Sequence, residues 1–189
     1  MPVMAGGVYK AGMWIRDSAA GIGTVTFYSA DGSAFAALGH GICDSDTKDV
    51  LAIRSGEPAE ITICGIKPGR PGSRAACAGT SPAATARHAF ADTELGIYGT
   101  LKTQHSGRTV EVLDREAVHT GPVQIAATID EDGVQLFDAE IERVSTDAHQ
   151  ETKTLVVRVT DPALLAETGG IVQGMSGCPI LQDASSPVR

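Results

Sequence analysis

Two short segments carry residues whose types and spacing suit acyl transfer. The first is Gly174-Met175-Ser176-Gly177-Cys178-Pro179, a Gly-x-Ser-Gly-x-Pro run near the C-terminus. Glycines on both sides of a serine let the backbone turn sharply and clear bulk from where a substrate must approach. The expected turn aims the N–H groups of Gly174 and Ser176 at one point, an oxyanion hole in which each donor is worth roughly 3 kcal/mol. An ordinary Gly-rich turn has the same composition, so the hexapeptide alone leaves both readings open. The second segment is Ala36-Ala37-Leu38-Gly39-His40-Gly41, a histidine closing an apolar strand. A base there could take the proton of Ser176, with a structural histidine as the plainer alternative. His88, His105, His119 and His149 stand in polar, loop-like surroundings; His40 alone has an apolar frame.

Other reactive residues suggest less. Asp161, in Thr160-Asp161-Pro162, reads as the N-cap of a short helix with Pro162 at its first position, Ala163–Thr168 as its body and Gly169-Gly170 as its stop. His40, Cys43, Asp44 and Asp46 are a weak candidate metal cluster, since Asp44-Ser45-Asp46-Thr47 also makes a good polar turn. No metal site and no cofactor are expected. Cys43, Cys64, Cys77 and Cys178 are scattered without a CxxC pair and read as buried thiols rather than two disulfides, because 189 residues need no staple.

The elements that must position these residues are short strands. Segments bounded by turn residues recur at Met13–Arg16, Gly21–Tyr28, Phe35–Leu38, Val50–Ile53, Glu60–Ile66, Leu95–Leu101, Thr109–Leu113, Val123–Ile129, Val134–Ile141 and Leu155–Val159. Alternation is clear in Gly21–Tyr28 and Leu155–Val159, as half-buried antiparallel strands require. The stretch Lys67–Ala91, rich in Pro, Gly, Ser and Ala, reads as a long surface loop, and His105–Gly121 as a linker between two halves. The expected fold is all-β, two small barrels over about 12–104 and 121–189 with one short helix before the nucleophile turn.

Composition narrows the partners. With 42% hydrophobic and only 4% aromatic residues, the core must be built from Val, Ile, Leu and Ala, which suits thin β-layers. A formal charge of −8 without a Lys/Arg cluster argues against nucleic acid and against an anionic membrane surface. Nothing approaches the roughly 18 consecutive apolar residues of a membrane span, and Met1–Lys10 lacks a signal-peptide layout. Oligomeric state is left open.

Trp14–Tyr28, Ala37-Leu38-Gly39-His40 and Thr168–Gly177 together resemble the peptidase domain of the SpoIVB (stage IV sporulation protein B) family, over about residues 12 to 181. The resemblance implies a chymotrypsin-related fold and a serine endopeptidase of endospore-forming bacteria, exported to the space between the forespore and mother-cell membranes. There such peptidases cleave themselves and a membrane-bound regulator. It places the catalytic histidine on His40, the serine on Ser176 and the aspartate on Asp161. Trypsin-like chains more generally put their aspartate before a small apolar strand in mid-chain, a slot that Glu94, with Asp92 nearby, imitates ahead of Leu95–Tyr98. Cys178 stands where the family usually has serine and is expected to pack rather than react. The family's PDZ domain is missing, and the chain stops at Arg189 where related peptidases continue into strands that close the second barrel, so a fragment is expected. The competing function is a catalytically silent module that keeps the fold and binds a peptide or protein.

Overall fold

A computed structural model of the chain describes residues 3–5, 8–10, 20–44, 46–70, 72–73, 75–81, 87–101, 108–145 and 154–183. A short hairpin comes first, β1 (Val3–Ala5) with β2 (Val8–Lys10). The expected strand Met13–Arg16 lies outside the described residues. Two four-stranded antiparallel sheets follow. The first has the order β3 (Val25–Tyr28), β4 (Ala34–Ala37), β8 (Gly96–Leu101), β7 (Arg87–Thr93). The second has the order β11 (Leu155–Val159), β10 (Val134–Val144), β9 (Gly121–Thr128), β12 (Ile180–Leu181). The molecule is therefore mostly strand with one helix, α1 (Pro162–Thr168), and neither sheet closes into a barrel among the described residues.

Turn chemistry sets these registers. Between β3 and β4 the Asp31 carboxylate accepts from both serine hydroxyls, Ser29 at 2.6 Å and Ser33 at 2.7 Å, and these bonds pull its pKa down to about 2. Between β9 and β10, Asp130 accepts from the N–H of Asp132 at 2.9 Å, and Gly133 takes the positive φ of +91° that the turn needs. Along β9 and β10 the core residues come from every second position: Val123, Ile125 and Ala127 on one strand, Phe137, Ala139 and Ile141 on the other. Ile129, Leu164 of α1, fully buried, and Ala75, Val172 and Met175 complete this core. A second cluster, Phe35, Leu38, Ala89 and Ile97, lies within the first sheet. Both cores use small and branched residues, as the low aromatic content requires.

Several sequence expectations need correction. Lys67–Ala91 is not one loop: β6 (Ala76–Thr80) pairs with β5 (Thr62–Lys67), and β7 begins at Arg87. Ala-Cys-Ala-Gly-Thr has no hydrophobic alternation to announce a strand, and β5–β6 is largely exposed, so neither strand shows the two-residue period of a buried face. Conversely, among the described residues Val50–Ile53 contributes a single bridge, from Val50 to Cys43, and 109–113 is irregular. All four cysteines are free thiols, but Cys43 and Cys64 are exposed rather than buried. The expected helix, its cap and its stop are found as read, with Gly169 left-handed at φ +69°.

Candidate active site

The turn that carries Ser176 is made of two consecutive reversals. The N–H of Met175 donates to the Val172 carbonyl at 3.2 Å, and that of Cys178 to the Met175 carbonyl at 3.0 Å. Met175 points inward, 7% exposed, which pins the turn to the core of the β9–β10 sheet, while Ser176 is half-buried. The N–H groups of Gly174 and Ser176 have no protein acceptor among the described residues.

Thr24 joins this turn to the first sheet. Its N–H donates to the Ser176 carbonyl at 2.8 Å, its hydroxyl donates to the Gly174 carbonyl at 2.8 Å, and its own carbonyl accepts from Leu38 N at 3.1 Å. The serine turn and the histidine turn are thus separated by one residue's worth of backbone. The approach demands glycine: at Gly177, with φ +90°, a Cβ would stand 2.5 Å from the Thr24 carbonyl oxygen and 2.6 Å from Leu38 N. At Gly39 a Cβ would come within 4.0 Å of Gly177. Leu38, buried and non-glycine, is held at φ +75°, a conformation costing on the order of 1–3 kcal/mol that persists only where its surroundings enforce it.

His40 is exposed, and its Nδ1 lies 2.9 Å from the Gly41 carbonyl oxygen. A carbonyl only accepts, so in the neutral ring Nδ1 carries the proton and Nε2 keeps its lone pair. Among the described residues no hydrogen bond joins His40 to Ser176 Oγ; contacts of this kind are often long before substrate binds.

The acidic candidates fall in different places. Asp161 caps α1: Oδ1 accepts from the N–H groups of Ala163 and Leu164, both at 2.9 Å, and Oδ2 from Asp138 N at 3.3 Å. These bonds, the one from Leu164 foremost, hold its carboxyl below the ordinary value. Asp92, at the end of β7, accepts from Ile42 N with both oxygens, at 3.0 and 3.2 Å, and so grips the chain two residues past His40. Glu94 sits exposed in the β7–β8 turn. Asp44 spends one oxygen on the N–H groups of Asp46 and Thr47, the polar-turn reading, and no group of three potential metal ligands forms among the described residues.

Three contributors carry no local signal in the sequence. Thr24 has nothing to mark it beyond its place at a strand start. Cys77, whose thiol donates to the Gln173 carbonyl at 3.0 Å, lies in the stretch that reads as loop. The grip of Asp92 on Ile42 is a contact across 50 residues, invisible to local pattern. Cys178 packs as expected, half-buried beside Thr24 Oγ1 at 3.3 Å, and burial pushes its thiol pKa up, so it stays protonated at neutral pH.

A glycine-flanked serine and a glycine-flanked histidine thus stand on turns that meet through one short run of backbone at Thr24. The family model described as SpoIVB peptidase S55 matches residues 7–185, and the chain belongs to that family, a family of sporulation peptidases. No curated protein and no solved structure matches it. Among the described residues no helix is long and apolar enough to cross a membrane.

Proposed function

We propose that the chain is a serine endopeptidase domain of the sporulation-signalling type, acting through an acyl-enzyme on protein substrates. The observation that carries this reading is the Thr24 bridge, which brings the turns of Ser176 and His40 together from opposite ends of the sequence. In the proposed step His40 Nε2 takes the Ser176 hydroxyl proton as Oγ attacks the substrate carbonyl carbon. The oxyanion accepts from the N–H groups of Gly174 and Ser176. Collapse breaks the C–N bond, and His40 returns the proton to the departing amine. Water then repeats the sequence on the ester and frees Ser176.

Asp161 is the orienting carboxylate that the family resemblance supplies. Its bonds keep it ionised, and of the roughly four acceptor sites of a carboxylate, three are taken by backbone N–H groups. A second reading rests on the contact between Asp92 and Ile42, which makes Asp92 the residue that holds the histidine turn in place. The two-barrel, chymotrypsin-like architecture belongs to the same proposal, each four-stranded sheet being the visible part of one barrel. So do self-cleavage, a membrane-associated regulatory protein as substrate, and export to the space between forespore and mother cell.

The test is purified Ser176→Ala against the parent chain, with self-processing and cleavage of an unfolded protein substrate followed by mass spectrometry. Loss of both at unchanged Tm is expected; cleavage at the parent rate would remove Ser176 from the mechanism.

A further inference from the structure

An open cleft of about 700 Å³ lies between the loop leading into the nucleophile turn and the tip of the β5–β6 hairpin. Ala75 and Val172, both buried and joined by a parallel bridge, border it below. Ile171, 60% exposed, offers an apolar wall, and Arg70, Ser73 and Gln173 supply the polar rim. The rim is held. The N–H of Arg70 donates to the Ser73 carbonyl at 3.0 Å and that of Ser73 returns to the Arg70 carbonyl at 2.8 Å, with Gly72 turning at φ +82°. Gly69 N donates to Thr168 O at 2.8 Å, which fastens the hairpin tip to the end of α1.

Charge distinguishes this cleft. Arg70 is the one charged residue lining it, no described carboxylate pairs with Arg70, and the chain carries −8 overall. Position gives it a role. Val172 and Gln173 run directly into Gly174, and the Gln173 carbonyl is fixed by the Cys77 thiol. A substrate carbonyl that reaches the N–H groups of Gly174 and Ser176 therefore brings its own residue's side chain alongside 171–173.

We propose that this cleft receives a glutamate side chain on the acyl side of the cleaved bond, its carboxylate on the Arg70 guanidinium and its methylenes against Ile171 and Val172. The inference rests on the peptidase reading above. Guanidinium and carboxylate pair bidentately, and the two methylenes of glutamate use the apolar wall that a shorter acid leaves uncovered. Because Arg70 is exposed, screening keeps the discrimination to about fivefold or less.

The experiment uses matched peptides differing at that one position: Glu, its neutral isostere Gln, and Lys. The parent chain is expected to cleave the Glu peptide with kcat/KM about threefold to fivefold above Gln and further above Lys. Arg70→Ala should erase the Glu over Gln ratio, and Arg70→Glu should invert Glu over Lys. Equal ratios in the parent, or a Glu preference that survives Arg70→Ala, overturn the assignment while leaving the peptidase reading intact. If no peptide is cleaved, the same ratio is read as binding: fluorescence anisotropy of labelled peptides ending in Glu or Gln, on Ser176→Ala protein with and without Arg70→Ala. Arg70-dependent preference for Glu then supports the cleft, and indifference overturns it.

Discussion

Asp161 and Asp92 both spend their carboxylates on backbone N–H groups, yet the two aspartates do different things. Asp161 starts its own helix and braces it to β10, so its contacts are to residues two and three ahead and to one neighbouring strand. Asp92 reaches across the first sheet to the turn that carries His40. A local motif shows the first arrangement because capping is written in adjacent residues: Asp, Pro, a short apolar run, then Gly-Gly. It does not show the second, because which amide a side chain meets after a hairpin has folded depends on register. The role proposed for Asp161 rests on the family resemblance and that of Asp92 on its contact with Ile42, so substitutions at the two positions tell them apart.

The largest expected effect lies outside both. His40→Ala should lower kcat/KM by about 10³-fold or more with little change in Tm, since the ring is exposed and makes one local contact. Retained activity would remove the base and leave neither aspartate anything to orient. Gly177→Ala should damage the junction itself, by about 2–4 kcal/mol of stability with loss of activity, because its Cβ meets backbone atoms of Thr24 and Leu38. Gly170→Ala is the control: the same positive-φ strain at +131° but no atom within 4 Å, so a smaller loss of Tm and retained turnover are expected. If the two variants behaved alike, close approach at the junction would not be what glycine serves.

Substitutions at the two aspartates come next in size. Asp161→Asn should cost about 10²-fold in kcat at nearly unchanged Tm, since asparagine caps a helix as well as aspartate does and only the charge is lost. Asp92→Ala should cost about tenfold through a loosened histidine turn, with the anchor of Ile42 removed. The reverse order would give the orienting role to mid-chain.

The smallest effect is in pH. The folded-state pKa of Asp161 lies below its ordinary 3.8, so its cap contributes stability above that value and loses it as pH falls through the lower folded value. Tm of the parent should therefore fall more steeply below about pH 4 than Tm of Asp161→Asn. Parallel curves would mean that the cap carries no differential protonation.

Much of this site is legible in the amino-acid sequence. The Gly174–Pro179 hexapeptide, the His40 turn and the α1 cap are local patterns with local causes, and the strands richest in branched residues, β9, β10 and β11, stand within a few residues of where their composition puts them. What escapes is non-local or lacks a period. Strand β6, made of Ala, Cys, Gly and Thr, owes its conformation to pairing with β5, where a Cβ on Gly79 would collide with Ile61 at 2.2 Å. Thr24 belongs to the site only because the second half of the chain docks against it. Val50–Ile53 shows the converse: an apolar run with strand composition that finds a single bridging partner among the described residues.

In the proposed mechanism Ser176 is a nucleophile activated by His40. The most direct measurement is the site and rate of adduct formation with a fluorophosphonate, located by peptide mass spectrometry. One adduct is expected, on Ser176, absent in Ser176→Ala and slowed about 10³-fold in His40→Ala. An unlabelled Ser176 in folded protein, or a rate indifferent to His40, would contradict it and leave a peptide-binding module on the same fold.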